Sequence, residues 1–272
     1  MEEKERIVIV GYGWVGQANA LSLVRLGYEV FYYDIIPPKL HYSEEYYALY
    51  EKIQPLQTPV EKDSAKTWYI VCIGDRVGED GAQDISLIER ALDGLRGTTG
   101  HVVLRSTVIP PYLSTLTFDY YVPEFLHELS AVEECLNPYY FVIGEREKKE
   151  LPTFLHAWQE RSAKVFVGTP IEASYIKYLS NIWNAVRVAF TNEFGDSIGL
   201  PVNDHERERI ERILDFVLER KSYLKYGQSF GGHCLPKDLR AYKRLAAGSG
   251  NIPFILEAVE RSNNKHAELE QQ

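Results

Sequence analysis

The strongest chemical signal in the chain is Phe230-Gly231-Gly232-His233-Cys234-Leu235-Pro236-Lys237-Asp238, a cysteine that follows two glycines and stands four residues before an aspartate. Glycines let another backbone or a ligand approach without side-chain obstruction, so a thiol in such a turn can be reached by a substrate. Its chemistry would be covalent catalysis. The thiolate adds to a carbonyl and splits one hard step into two, while Asp238 serves as a base or orients the sulfur. Taken alone, a cysteine is more often a small buried apolar residue than a nucleophile, so the reading depends on the rest of the chain. His233 could act as an imidazolium neighbour that favours the thiolate, although adjacent residues in a turn often point apart.

A second pattern is Gly11-Tyr12-Gly13-Trp14-Val15-Gly16. The spacing is weak by itself, but here it follows the β-branched run Arg6 to Val10 and opens a helical stretch to Leu26 that Gly27 closes. Strand, glycine turn and helix is the dinucleotide-binding context. The first glycine permits the tight turn, the second admits the pyrophosphate, and the third lets the helix pack on the strand with its amino-terminal dipole facing the phosphates. Glu29 to Tyr33 reads as the next strand, and Asp34 ends it about 20 residues after the glycines, where an acceptor for the ribose hydroxyls belongs. That carboxylate repels a 2'-phosphate, so NAD is expected over NADP.

A third set lies later. Lys177 and Asn181 are four apart on a long helical pattern and share a face, where a lysine can polarise a carbonyl and an asparagine can hold a water. An isolated pair of this kind is more often a solvated charge beside an amide. Arg105-Ser106-Thr107-Val108 and Pro123-Glu124-Phe125-Leu126 follow strand ends. Ligands bind at the carboxyl edge of a parallel sheet, so both segments fall where a nicotinamide and a substrate would meet, with Ser106 and Thr107 toward the cofactor.

The elements that must position these residues alternate at first. Residues 37–66 are polar and tyrosine-rich, with four prolines, and read as loop and short helix. Thr67 to Gly74 is a strand apolar on both faces, which makes Cys72 a core residue. Asp84 to Leu95 is helical, with Asp84 or Ser86 able to cap it. Further strands are expected at His101 to Thr107, Phe118 to Val122, Tyr139 to Ile143 and Lys164 to Val167, with a helix from Leu151 to Arg161. The class is therefore α/β, and residues 1–168 are expected to form a Rossmann-type doubly wound parallel sheet. Residues 169–272 are expected to form an all-helical domain that carries the cysteine loop. Its longest helix, Glu172 to Ile198, shows Ile176, Leu179, Ile182, Val186 and Phe190 as its apolar stripe. A helix over 202–220 follows with Ile210, Ile213, Leu214 and Val217 inward, then helices over 237–247 and 252–263 and a frayed tail after Ser262. The long helix spans about 40 Å, more than the short ones after it can cover, which points to a homodimer through it.

Composition bounds the partners. With 272 residues and a net charge of -9, the chain does not suit nucleic acid or an anionic membrane surface. An anionic ligand would need local cations, for which Lys225, Lys237 and Arg240 are candidates, although such residues are mostly solvated. Cys72, Cys135 and Cys234 are too few for a disulfide framework or a zinc cluster, so no metal is expected and the thiols read as reduced and intracellular. No apolar run approaches the roughly 20 residues that span a bilayer, and Met1-Glu2-Glu3-Lys4 is no signal peptide. A soluble, cytoplasmic protein is expected.

Together these segments resemble the UDP-glucose/GDP-mannose dehydrogenase family of nucleotide-sugar dehydrogenases. The matching stretches are Gly11 to Gly16, Asp80-Gly81 with Asp84-Ile85-Ser86, Ser106-Thr107-Val108, Pro123 to Leu126, Glu172 to Glu193 and Phe230 to Asp238, in family order. The resemblance implies oxidation of a sugar CH2OH to a carboxylate with two NAD, through an aldehyde, a cysteine thiohemiacetal and a thioester. It implies Cys234 as nucleophile, Lys177 at the developing oxyanion, Asn181 and Asp238 orienting water or the thiol, and Glu124 and Thr107 completing the base and water network. Glu124, Phe125, Leu126, Lys177, Asn181, Phe230, Gly231 and Gly232 would contact the substrate, a nucleotide sugar or a smaller sugar. It also implies a homodimer, and a third, nucleotide-gripping domain that these residues are expected to lack, with weak binding of intact nucleotide sugars as the consequence. The family pattern is altered at Val122, Tyr139 and His233. Two other readings are a β-hydroxyacid dehydrogenase, with a similar lysine and asparagine but one NADH and no cysteine, and a scaffold that binds NAD without turnover.

Overall fold

The computed structural model describes residues 5–42, 44–127, 130–147, 150–199, 201, 203–218 and 224–271. The amino-terminal Met1 to Lys4 and the ends of the helix expected over 202–220, at Val202 and at Glu219 and Arg220, lie outside the described residues. In chain order the strands are β1 (Arg6–Val10), β2 (Glu29–Tyr33), β3 (Gln54–Pro55), β4 (Thr67–Val71), β5 (Arg76–Val77), β6 (Gln83–Asp84), β7 (His101–Leu104), β8 (Tyr120–Tyr121), β9 (Tyr140–Glu145) and β10 (Lys164–Gly168). The helices are α1 (Trp14–Arg25), α2 (Tyr47–Tyr50), α3 (Ser86–Asp93), α4 (Pro110–Leu113), α5 (Ala131–Leu136), α6 (Thr153–Arg161), α7 (Pro170–Ile198), α8 (Asp204–Leu218), α9 (Leu235–Gly248) and α10 (Phe254–Leu269). Two compact units result: Met1–Asp75 with Asp84–Lys177, and Arg76–Gln83 with Tyr178–Gln272.

The first unit is built on an eight-stranded sheet of order β10-β9-β8-β7-β4-β1-β2-β3. The inner strands are buried on both faces, which is why they read as unbroken apolar runs. Alternate residues serve opposite layers: Ile7, Ile9 and Ile70 pack with α1, α5 and α6 residues such as Leu21, Val132 and Phe154, while Val8, Tyr69 and Val71 pack with Ile88 and Leu92 of α3. β1 pairs in parallel with β2 and with β4, so the chain order reverses between β1 and β4 at their carboxyl ends. The expected all-parallel sheet needs one correction: β8 and β9 are antiparallel. An apolar run buried on both faces carries no sign of its direction. Residues 37–66 contain α2 as expected and also β3, a short edge strand beside β2.

Two helix starts differ from expectation. Residue Ile85, not Asp84 or Ser86, is the N-cap of α3, and Asp84 accepts the Ser86 amide at 2.9 Å from outside the helix. Helix α7 begins at Pro170 because Thr169 and Glu172 form a reciprocal cap, the Thr169 amide and hydroxyl each donating to the Glu172 carboxylate at 2.8 Å.

The second unit is helical, with β5 and the turn after it packed against α9. A Cβ on Gly81, whose φ is +79°, would lie 2.6 Å from the Arg240 carbonyl oxygen, so the Asp80-Gly81 turn approaches α9 closely only as glycine. One core cluster joins Ala185, Val188, Ala189, Leu224, Phe230, Leu239 and Val259, and another joins Ile210, Leu214 and Tyr226. The expected stripe on α7 is wrong in part: Leu179 and Phe190 are 68% and 54% exposed, and the helix buries Lys177, Asn181 and Asn192 instead. On α8, Ile210 and Leu214 are buried but Ile213 and Val217 are exposed. The tail does not fray at Ser262. Helix α10 runs to Leu269 because Asn263 and His266 are buried, Asn263 bonded to the backbone of Phe230 and His266 Nε2 lying 3.2 Å from the Asp196 carboxylate. Among the described residues no helix is long and apolar enough to cross a membrane.

Candidate active site

In the first unit the glycine loop leaves β1 and enters α1. A Cβ on Gly11, where φ is +91°, would meet Ile73 Cδ1 at 2.6 Å and the Cys72 carbonyl oxygen at 2.9 Å, and one on Gly16 would overlap the Gly11 carbonyl oxygen. Gly13 is different. It is the N-cap of α1, and no atom lies within 4 Å of where its Cβ would be. Two glycines therefore close the loop, and the middle one leaves open the space in front of a helix amino terminus, where unpaired N–H groups and the helix dipole face a phosphate. The loop fits the pyrophosphate of a dinucleotide.

Asp34 stands at the end of β2 as the sequence places it, with an added task. Its Oδ2 accepts the Tyr12 amide at 2.6 Å and its Oδ1 the Ile36 amide at 3.0 Å, so it braces the glycine loop and keeps further acceptor sites for a ribose. The sequence reading missed Gln17. Fully buried, it donates to the carbonyls of Tyr12 and Lys39, both at 2.8 Å, and accepts from the His41 amide at 3.0 Å and the Tyr50 hydroxyl at 2.7 Å. A lone amide on an apolar helix face was the available signal. Tyr12 is buried against the Tyr32 ring, Trp14 stacks on His41, and Val15 packs on the core.

At the later strand ends Ser106 and Thr107 are buried after β7, with the Ser106 hydroxyl 3.4 Å from the Val71 carbonyl oxygen. The Glu124 carboxylate, buried after β8, meets Lys177 Nζ at 3.2 Å through Oε1 and accepts the Leu126 amide at 2.8 Å through Oε2. Lys177 is 2% exposed and lies 5.3 Å from the centre of the Phe125 ring. Burial opposes ionisation of Glu124, but the Lys177 charge, the Leu126 amide and Arg105 outweigh it and hold the carboxyl below its usual range. The sequence assigns Arg105 no role of its own beyond its place at a strand end. In the structure it is a buried cation stacked over Trp158, 4.9 Å from the ring centre.

In the second unit Asn181 and Asp238 meet. Asp238, 1% exposed, accepts Asn181 Nδ2 at 2.5 Å through Oδ2 and Lys237 Nζ at 2.7 Å through Oδ1. Its amide donates to the Cys234 carbonyl at 3.0 Å, closing the first turn of α9. Cys234 is the N-cap of that helix and is exposed, as are Gly231, Gly232 and His233, whereas Phe230 is buried. The other two thiols are no rivals: burial pushes Cys72 and Cys135 each up to about 12, against the pull of Arg105. Of the candidate cations, Lys225 is exposed, Lys237 is paired with Asp238, and Arg240 lines a cavity of about 270 Å³ with Asp80, Lys243, Arg244 and Glu257. In that cavity Arg244 pairs with Asp80 at 2.7 Å.

Residues 171–265 match the profile of the UDP-glucose/GDP-mannose dehydrogenase family, central domain. Nearly the whole chain aligns with curated relatives of that kind. GDP-mannose 6-dehydrogenase of Pseudomonas putida is 29% identical over 303 residues, covering 97% of this chain and 69% of the relative. The chain resembles the UDP-glucose/GDP-mannose dehydrogenases over nearly its whole length, and its residues 171–265 match their central domain. UDP-glucose 6-dehydrogenase of Rickettsia prowazekii is 28% identical over 296 residues, covering 94% of this chain and 66% of the relative. Among solved structures, a UDP-glucose dehydrogenase from the archaeon Pyrobaculum islandicum superposes with a TM-score of 0.82 at 26% identity, over 97% of this chain and 68% of that one. The chain thus spans about two thirds of the length of these family members.

Proposed function

We propose that the chain is an NAD-dependent dehydrogenase that oxidises the primary alcohol of a nucleotide-bound sugar, or of a smaller sugar, to a carboxylate through Cys234. The observation that carries this reading is the second unit's arrangement of an exposed thiol at the amino end of α9, one turn from a buried aspartate fixed by Asn181. A helix amino terminus favours negative charge on the sulfur. The names of the relatives supply the substrate class, and their differing sugars leave both UDP- and GDP-sugars open for this chain.

Two NAD molecules, bound in turn over Gly11 to Gly16 with the adenosine ribose on Asp34, would each accept one hydride. The thiolate adds to the aldehyde carbon formed by the first oxidation. Loss of hydride from that carbon leaves a thioester, and water hydrolyses it to the carboxylate and the free thiol. Asp238 and Asn181 would orient thiol and water. Lys177, buried with a formal charge, would steady a developing oxyanion, and Glu124, held ionised, would accept a proton with Thr107 ordering a water. A screen of UDP-sugars, GDP-sugars and sugar phosphates for NADH formation tests the reading; no NADH from any of them would contradict it.

We also propose a homodimer. Leu179, Trp183, Phe190 and Phe194 are exposed apolar residues on α7 at spacings of four, seven and four, one face of a helix. Light scattering is expected to give twice the chain mass at micromolar concentration, and a monomer there would contradict it.

A further inference from the structure

Within the second unit, the backbone just before Gly231 is held by side chains. Asn192 of α7 accepts the Gly227 amide at 2.8 Å and donates to the Gln228 carbonyl at 2.6 Å. Glu270, just past α10, accepts both the amide and the hydroxyl of Ser229, the latter at 3.1 Å. Asn263 of α10, buried, accepts the Phe230 amide at 2.7 Å through Oδ1 and donates Nδ2 to the Phe230 carbonyl at 3.0 Å. The Phe230 ring fills the cluster of Ala185, Val188, Leu239 and Val259. Four consecutive residues thus find side-chain partners for backbone groups that no helix or strand would satisfy.

Past Phe230 the anchoring stops. Gly231 and Gly232 have no atom within 4 Å of where a Cβ would sit, Gly232 is at φ +71°, and Cys234 follows two residues later. A two-glycine span with no packing of its own takes its course from its ends. One end is the first turn of α9, held by Asp238 on Cys234 and by Asn181 on Asp238. The other is the Asn263–Phe230 pair.

We infer that Asn263 is a positioning residue for Cys234, its amide fixing both backbone groups of Phe230 and so the departure of the glycine span that delivers the thiol. The inference rests on the proposed role of Cys234. An asparagine suits the task because a single amide offers a donor and an acceptor side by side, as an edge strand would; an aspartate of the same size keeps only the acceptor. Glu270 assists from the exposed side.

Asn263→Asp therefore tests the inference. A thiol free to wander loses effective molarity toward the aldehyde, and a displacement of about 1 Å can cost about a hundredfold. The expected signature is a fall in kcat of roughly ten- to a hundredfold, KM for NAD within about threefold of native, and a drop in NADH per sugar from two toward one as aldehyde escapes before the thiol captures it. A purely structural role would lower the melting temperature and the amount of active protein without changing that yield. Glu270→Ala, at the surface, is expected to show the same signature at about a threefold effect and decides the matter alone if Asn263→Asp does not fold. Native kcat and native yield in the folded variant would overturn the inference. If the native enzyme itself yields one NADH and Cys234→Ala matches it, the role of Cys234 fails and takes the inference with it. If the native enzyme yields two, Cys234→Ala makes no acid and the Asn263 variant behaves as native, the inference fails alone.

Discussion

In the loop after β1, a Cβ on Gly11 or Gly16 would run into backbone, whereas in the loop before α9 a Cβ on Gly231 or Gly232 would meet no atom within 4 Å. The same residue type therefore does two jobs. In the first loop the missing side chains are used by the protein, which closes strand against helix through them and leaves only Gly13 facing open space. In the second loop no atom of the protein takes up the space they leave, although Gly232, at φ +71°, still needs glycine for its backbone conformation, and the backbone course comes from the side-chain amides of Asn192 and Asn263. Glycines that the protein needs report on folding when mutated; glycines that it leaves bare report on what approaches them.

The sharpest break in that comparison is Gly16→Ala. Its Cβ would overlap the Gly11 carbonyl oxygen, backbone that cannot swing away, so a loss of more than about 4 kcal/mol or no folded protein is expected in urea denaturation. A native-like midpoint would show that the loop can open.

Next in size is Glu124→Gln, which leaves Lys177 as a buried charge without its counter-ion and is expected to cost about 3 kcal/mol. Acid sharpens this test. The folded carboxyl of Glu124 lies below its unfolded value, so its contribution is present above about pH 4.3 and lost as pH falls through the lower, folded value. The gap in stability between native and Glu124→Gln should be flat from pH 8 to about 5 and close below about 4. A gap that widened with acid would contradict the ionised pair.

Smaller effects are expected where space is open. Gly231→Ala should keep the native melting temperature yet raise KM for the sugar about tenfold, about 1.4 kcal/mol of binding, because only a ligand would meet the new methyl group. An unchanged KM would place the substrate elsewhere. Smallest and most mixed is Asp34→Ala. Since Asp34 also accepts the Tyr12 amide, it should lose about 1 kcal/mol of stability while narrowing the preference for NAD over NADP, read from the ratio of the two KM values. Equal KM values for the two cofactors in the native protein would remove the ribose role.

The sequence made the glycine loop legible because its rules are local. A β-branched run, three glycines at fixed spacing and an acidic residue at the next strand end name their own positions, and β1, β2 and Asp34 fall where the pattern puts them. Helix α7 was legible as a helix, but its expected start at Glu172 is two residues late, because the reciprocal cap between Thr169 and Glu172 went unread. Its faces were not legible. Periodicity assumes that polar residues point outward, but Lys177, Asn181 and Asn192 are buried because Glu124, Asp238 and the 227–228 backbone receive them. Those partners lie tens of residues away, and nothing in the local sequence announces them. The same holds for Asn263, whose bonds to Phe230 turn an expected frayed tail into an ordered helix.

The most direct test of the Cys234 chemistry is the amount of NADH formed per sugar at complete conversion, by native protein and by Cys234→Ala, once a substrate has been found. Two NADH and one carboxylate per sugar from the native protein, with no carboxylate from the variant, is the predicted result. One NADH from both would leave a single oxidation that needs no thiol, and Cys234 would have no part in the reaction.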